Sequence, residues 1–291
     1  MTRKFILFML LPAVALYTCF FILPAVFAFI LSFFKWTGFG SNIEWIGLGN
    51  YLETLKDPVF WISFKNTNYI IFVGGAITFS LAFLFSMALS SGIAGKKFFR
   101  ALLFMPFIIS VFSVVAMWRN IYHPKLGLLN KMFEMLGIEN TILWTSNANI
   151  FWAMLVAMVW TYIGFYIIII LAGIDKIPRD LYEAAELEGA SHWQQFYHIT
   201  IPLIWDVLII CFTIWIILAI KNFEFPYAFG FLNIPQELYN TSVYMYIMGF
   251  GQRDPIFRMG YACAIGVESV ILAMMLVTAV RKGFRRDIEE L

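Results

Sequence analysis

Four ionisable side chains stand inside or at the edges of long apolar runs: Arg119, Asp206, Lys221 and Glu268. A charge at the centre of a membrane helix costs roughly 2.5–3.5 kcal/mol even on the insertion scale, so each must reach water, a partner or a cavity. Asp206 lies one turn into its run and Arg119 near the end of its own, where snorkelling to the interface suffices. Lys221, followed by Asn222, closes one run, and Glu268 lies near the middle of another. Three chemistries are open to them: an ion-coupled relay through Lys221 and Glu268, an internal pair of Lys221 with Glu224 or Glu268, or a salt bridge from Lys221 to a substrate carboxylate.

Bond-making chemistry finds no matching set. His123, His192 and His198 fall in expected loops with no carboxylate or cysteine cluster, and no serine or cysteine nucleophile constellation is apparent. Cys19, Cys211 and Cys263 are odd in number, lie in apolar stretches and lack metal-ligand spacing, so they read as small core hydrophobes. No GxxxxGK[ST] phosphate loop occurs, so ATP hydrolysis would belong to another subunit. A membrane-embedded enzyme, a metal and a cofactor of its own are therefore not expected.

One polar island interrupts the greasy chain, from Ile177 to Pro202. Pro178 suits the first turn of a helix and Gly189 can take the positive φ at which a helix stops, which predicts a short helix from about Pro178 to Glu188. Ser191 with Gln194 three residues on matches a capping box and starts a second short helix, and Pro202 is expected to open a third, strongly apolar one. The carboxylates of Glu183, Glu186 and Glu188 and the ring of Trp193 would then surround a helix, glycine, helix bend, an arrangement suited to docking on another protein.

The order Glu183-Ala184-Ala185, then Gly189-Ala190, then Phe196, Ile199 and Pro202 resembles the EAA loop of permease subunits in binding-protein-dependent ABC importers. Trp45-Ile46-Gly47-Leu48-Gly49-Asn50-Tyr51, followed by Asp57-Pro58 and Asn66-Thr67, resembles the first loop of sugar-type permeases, so the likeness covers most of the chain. Two positions depart from the pattern: Glu188 where aspartate is usual, and Asp206 where a second proline is common. The resemblance implies a cytoplasmic loop whose short helix sits in a groove of an ATPase, with Glu183, Ala184, Ala185, Glu188, Gly189 and Ala190 as coupling residues. It also implies that spans beside the loop line a central cavity, which by position points to Trp215, Lys221 and Asn222. Aromatic rings stack on sugar faces and amides bond hydroxyls, while ordinary core or lipid packing remains open for Trp215. Glu268, unable to reach water easily from mid-span, joins these as a candidate for the substrate path.

The chain has 291 residues, 62% of them hydrophobic and only 13% charged, with a mean hydropathy of +0.81. Ordinary globular chains carry about 25% charged residues, so composition alone places this one in a lipid bilayer, and a net charge of +2 points to no nucleic-acid partner. Six stretches are long enough to cross, near 5–34, 66–90, 101–122, 150–172, 201–223 and 259–280. The first exceeds the core of a secretory signal and reads as a retained, tilted anchor. Lys96, Lys97 and Arg100 fill the loop between the second and third spans, and Arg281, Lys282, Arg285 and Arg286 follow the sixth. With Arg3, Lys4, Lys176 and Arg179, more than half of the 20 basic residues gather on one side, which should be cytoplasmic. On the other side, Leu128, Leu129, Met132, Phe133 and Leu136 repeat at helical spacing and predict an interfacial helix ending at Gly137. This surface could receive a binding protein or simply pack over the bundle.

These readings converge on an all-α integral membrane protein: one permease domain over residues 1–291, six transmembrane helices, both termini cytoplasmic, and a helix-Gly-helix coupling loop over 173–200 between spans four and five. The resemblance to maltose- and glycerol-phosphate-type importers, specifically their first permease, implies a bacterial-type cell membrane and several partners. They are a second permease subunit in a heterodimer, two ABC ATPase subunits, an extracytoplasmic solute-binding protein and a saccharide, which is anionic if Lys221 meets a uronic or sialic acid. The rival from another class is an ion-coupled secondary transporter.

Overall fold

A computed structural model describes residues 3–90, 93–138, 142–231 and 233–283. Arg285 and Arg286 lie outside the described residues. Among these, four helices are long and apolar enough to cross a bilayer, or six if each of two sharply bent pairs counts as one crossing. The unbroken ones are Phe8–Leu31, Pro58–Ser90, Ile150–Ile174 and Met259–Gly283. Ile150–Ile174 is the axis of the bundle, with Pro58–Ser90 and Lys96–Ile108 packed along it. Trp205–Lys221 lies against both it and Met259–Gly283.

Three boundaries differ from the sequence expectation, each for a local reason. The second span begins at Pro58 rather than near residue 66, because Asp57 accepts from the Val59 N–H (2.8 Å) as an N-cap and Pro58 occupies the first turn. The first turns of this helix carry the polar Ser63, Asn66 and Thr67. They are buried and bonded, Asn66 to the carbonyls of Glu237 (2.9 Å) and Tyr239 (2.8 Å). The third span, expected over 101–122, is broken by 100° between Lys96–Ile108 and Val111–Ile121. Pro106 removes a helical N–H, and Ile109 and Ser110 then run extended. Pro202 does not open the fifth span. Helical turns over His192–Leu203 end at Ile204, and Trp205–Lys221 departs at 73°.

Two helices, Glu224–Gly230 and Thr241–Phe250, occupy the connection between the fifth and sixth spans. Between the first and second spans, Phe34–Lys35 pairs antiparallel with Glu44–Trp45, and Asn50 ties the loop down by donating to the carbonyls of Ser32 (2.8 Å) and Phe34 (3.0 Å). The amphipathic helix forms over Leu128–Met135, followed by Gly137 at φ +80°. Leu129 packs on the core and Phe133 stacks on Trp144, whereas Leu128, Met135 and Leu136 stay exposed.

The ends of the bundle are fastened differently. At one end, Lys96 Nζ (3.3 Å) and Arg100 Nη2 (2.7 Å) both bind Asp175, at the close of Ile150–Ile174. The polar island therefore emerges beside the basic loop. At the other end, Asp57 gathers the hydroxyls of Tyr244 and Tyr261 (2.7 Å for Tyr261), and Arg258 pairs with Glu53 (2.6 Å). Burial alone would push the Asp57 carboxyl up, but the donors from Tyr244, Tyr261 and two backbone N–H groups hold it below the usual carboxylate range.

Candidate functional site

The polar island folds into an elbow whose shape follows from its caps. Arg179–Leu187 is helical with Asp180 in the first turn, where a negative charge meets the positive end of the helix dipole. At its end the Ala190 N–H donates to the Ala185 carbonyl (2.9 Å) and the Gly189 N–H to that of Glu186 (3.0 Å), with Gly189 at φ +83°. These two crossed bonds are a Schellman stop, which a residue with a Cβ would hold only with strain. The capping box then forms: Ser191 N–H reaches Gln194 Oε1 (2.7 Å) and Gln194 N–H reaches Ser191 Oγ (3.4 Å). His192–Gln195 starts there and widens into a π turn over Phe196–Thr200.

The returning arm is anchored, and the outgoing one is presented. Phe196 is buried edge-on to Phe83 (ring centroids 6.1 Å apart), Gln195 donates to the Ala190 carbonyl (3.3 Å), and the hydroxyls of Tyr182 and Thr200 bond across the elbow (2.9 Å). Glu183, Ala184, Glu186, Glu188 and Gly189 are exposed, Ala185 and Ala190 half-buried. Leu187 is 89% exposed, and Leu181, Trp193 and Tyr197 are also open to the surface. The elbow thus offers carboxylates, a leucine and a stacked Trp193–Tyr197 pair that nothing among the described residues covers. Its root is fixed by Asp175: partial burial pushes that carboxyl up, and Arg100 and Lys96 more than reverse this, leaving it below the usual range.

The residues singled out for a substrate path do not converge. Trp215 is 2% exposed and donates from Nε1 to the Ile71 carbonyl (2.8 Å), so its ring is spent on packing within the chain. Asn222 is buried at a helix end, where its amide donates to Met158 Sδ (3.0 Å), its side-chain oxygen accepts from the Phe225 N–H (3.3 Å) and its carbonyl accepts from Asn240. Glu268 Oε1 accepts from Thr54 Oγ1 (2.6 Å), and Oε2 is buried without a hydrogen-bond partner among the described residues. Lys221 is exposed and forms no ion pair among the described residues. Neither internal pair expected for it, with Glu224 or Glu268, is made, and the two members of the supposed ion relay share no bond. Asp206 and Arg119 are exposed at the ends of their helices, as snorkelling requires, with the Arg119 guanidinium 5.8 Å from the centre of the Phe231 ring.

Sequence reasoning missed the Asp57 cluster and Asn240. Asp57-Pro58 was the legible signal for the first, since an aspartate before a proline at a helix start is a capping signature.

The fold has known counterparts. The model of the family described as "Binding-protein-dependent transport system inner membrane component" matches residues 82–289. The chain is 31% identical over 220 residues to the trehalose/maltose transport system permease protein MalF of Thermococcus litoralis, covering 76% of this chain and 75% of that one. It is 30% identical over 257 residues to the arabinooligosaccharides transport system permease protein AraP of Halalkalibacterium halodurans, covering 87% and 79%. A chain in the crystal structure of a bacterial ABC transporter that imports the acidic polysaccharide alginate superposes with a TM-score of 0.83 over 99% of this chain and 97% of that one, at 23% identity. With a family match over most of its length and apolar helices to fit, this chain belongs to the inner membrane components of binding-protein-dependent transport systems and is a multi-pass membrane protein.

Proposed function

We propose that this chain is the permease subunit of an ABC importer for a sugar or oligosaccharide, forming half of the translocation path. The observation that carries this reading is the elbow at 178–200: a rigidly capped helix, uncovered on the face that bears Glu183, Glu186 and Leu187, sits between the end of one apolar helix and the bent start of the next. A partner that grips the elbow moves two helices of the bundle at once. In this reading the bent pairs each make one crossing, giving six, with both termini and the elbow in the cytoplasm. Glu183, Ala184, Ala185, Glu188, Gly189 and Ala190 meet an ATPase subunit, one of two. A second permease completes the path, and a solute-binding protein delivers substrate outside. Sugar as cargo is supported by the substrates named for the relatives above.

Purifying the assembled complex and screening sugars for stimulation of its ATPase activity tests the reading: stimulation by an oligosaccharide together with its binding protein is expected, and an elbow-bearing chain that retains no ATPase would contradict it. Lys221 favours an acidic cargo, because it is exposed at a helix end with no ion-pair partner among the described residues. Comparing uptake of a charged sugar and its neutral analogue in wild type and Lys221→Gln checks this: selective loss of the charged sugar is expected, and equal loss of both would reject it.

A further inference from the structure

Trp215 lies ten residues beyond Trp205, about 15 Å along the helix that continues from the elbow. Its indole enters the Pro58–Ser90 helix at a π turn, Ile70–Gly74, where the Ile71 carbonyl accepts both the Trp215 Nε1–H (2.8 Å) and the Gly75 N–H. The socket is cut to the ring. A Cβ at Gly75 would stand 2.7 Å from Nε1, and one at Gly74 would stand 3.2 Å from Cζ2 and 3.0 Å from a Leu155 methyl. The ring cannot tilt away freely, since Phe79, Tyr162 and Tyr166 surround it at centroid distances of 6.3, 6.5 and 5.9 Å. A π turn holds one residue more per turn than the α-helix around it, and such turns gather at functional sites. The elbow's returning arm carries another, Phe196–Thr200.

We propose that Trp215 is a positioning residue for transport: its indole keys the Trp205–Lys221 helix into the π turn of Pro58–Ser90, so that motion imposed at the elbow reaches the bundle as a shift of that helix. This rests on the elbow being the point where the ATPase acts. The two helices then move as one body, because glycines and rings leave the indole one seat.

The test uses the whole importer in lipid, with Cys19, Cys211 and Cys263 replaced by alanine. One spin label at His192→Cys reports the elbow; a pair at Lys65→Cys and Leu218→Cys reports the distance between the two keyed helices. ATP with vanadate is the probe, so no cargo need be known. In the otherwise native complex trapping should change the elbow signal and leave the Lys65–Leu218 distance as it was. In Gly75→Ala, where the added methyl displaces the indole, the elbow label should still respond while the Lys65–Leu218 distance shifts or broadens on trapping. Trp215→Phe, which keeps a ring but loses the N–H, should release the distance in the same way and serves if Gly75→Ala fails to assemble. Tyr166→Phe, which removes a hydroxyl that bonds nothing among the described residues, should behave as native. An unresponsive elbow label in the native complex would defeat the coupling reading itself. A responsive elbow with a distance that stays fixed in Gly75→Ala and Trp215→Phe, or that already changes in the native complex, would overturn the keying role alone.

Discussion

Gly189 shows what a single residue contributes at the elbow. No atom lies within 4 Å of where its Cβ would be, so what the site demands is backbone: φ +83° and an N–H given to Glu186. Gly189→Ala should therefore be mild, about 1 kcal/mol of strain at the turn, whereas Gly189→Pro cannot adopt the angle and removes the donor. The proline variant and Glu183→Lys, which reverses charge on the uncovered face, should both insert normally and lose ATP-driven uptake; full uptake by both would remove the elbow from the mechanism. Asp175 makes a pH-dependent contribution. Its carboxyl is held below the ordinary value, so its stabilising effect is complete above the unfolded-state pKa and fades as pH falls through the folded one. Thermal unfolding of wild type and Asp175→Asn should differ at neutral pH and converge on acidification; a gap that widens in acid would show that the Lys96 and Arg100 contacts are not its source. Residue roles were unevenly legible. The caps of the elbow announce themselves, because Gly, Ser and Gln at those offsets have one local use. Trp215 did not: among so many aromatic residues, its type is equally suited to a sugar face or a core, and only burial against Gly74 and Gly75 decides.

Elements were legible where hydropathy runs unbroken and not where it hides a bend. Ile150–Ile174 matches its run closely, but the breaks at Ile109–Ser110 and Ile204 lie within continuous apolar sequence. Lipid accepts apolar side chains in any backbone geometry, so hydropathy cannot register a change of direction. The helix Pro58–Ser90 begins before its expected start near residue 66, through turns that carry polar residues. Ser63 and Asn66 bond carbonyls inside the protein, and buried donors of this kind look like loop residues until their acceptors are known. Burial also decides which sites can report sidedness. Asn50 is buried and bonded, so Asn42, exposed in the same loop, is the better cysteine site. Cysteines at Lys97 and Glu186 should be labelled by an impermeant maleimide only from the cytoplasm, and those at Asn42 and Glu134 from outside. External labelling at position 186 in intact cells would invert the proposed topology.

At the scale of the molecule, this chain carries much apolar surface that it does not bury. Among the described residues nothing covers the most apolar stretch of Phe8–Leu31, or one face of Met259–Gly283 at Val270, Met274 and Met275. In the proposed assembly lipid or a second permease covers both. The central claim is that motion through this bundle is driven by ATP at the elbow, not by an ion gradient through Lys221 and Glu268. The most direct measurement is uptake of the stimulating sugar into right-side-out vesicles that carry the complex, with its binding protein added outside, ATP enclosed or omitted, and with or without an ionophore. The account predicts uptake that follows enclosed ATP, survives the ionophore and disappears in Glu183→Lys. Uptake that proceeds without ATP and collapses when the ion gradient is discharged would contradict it.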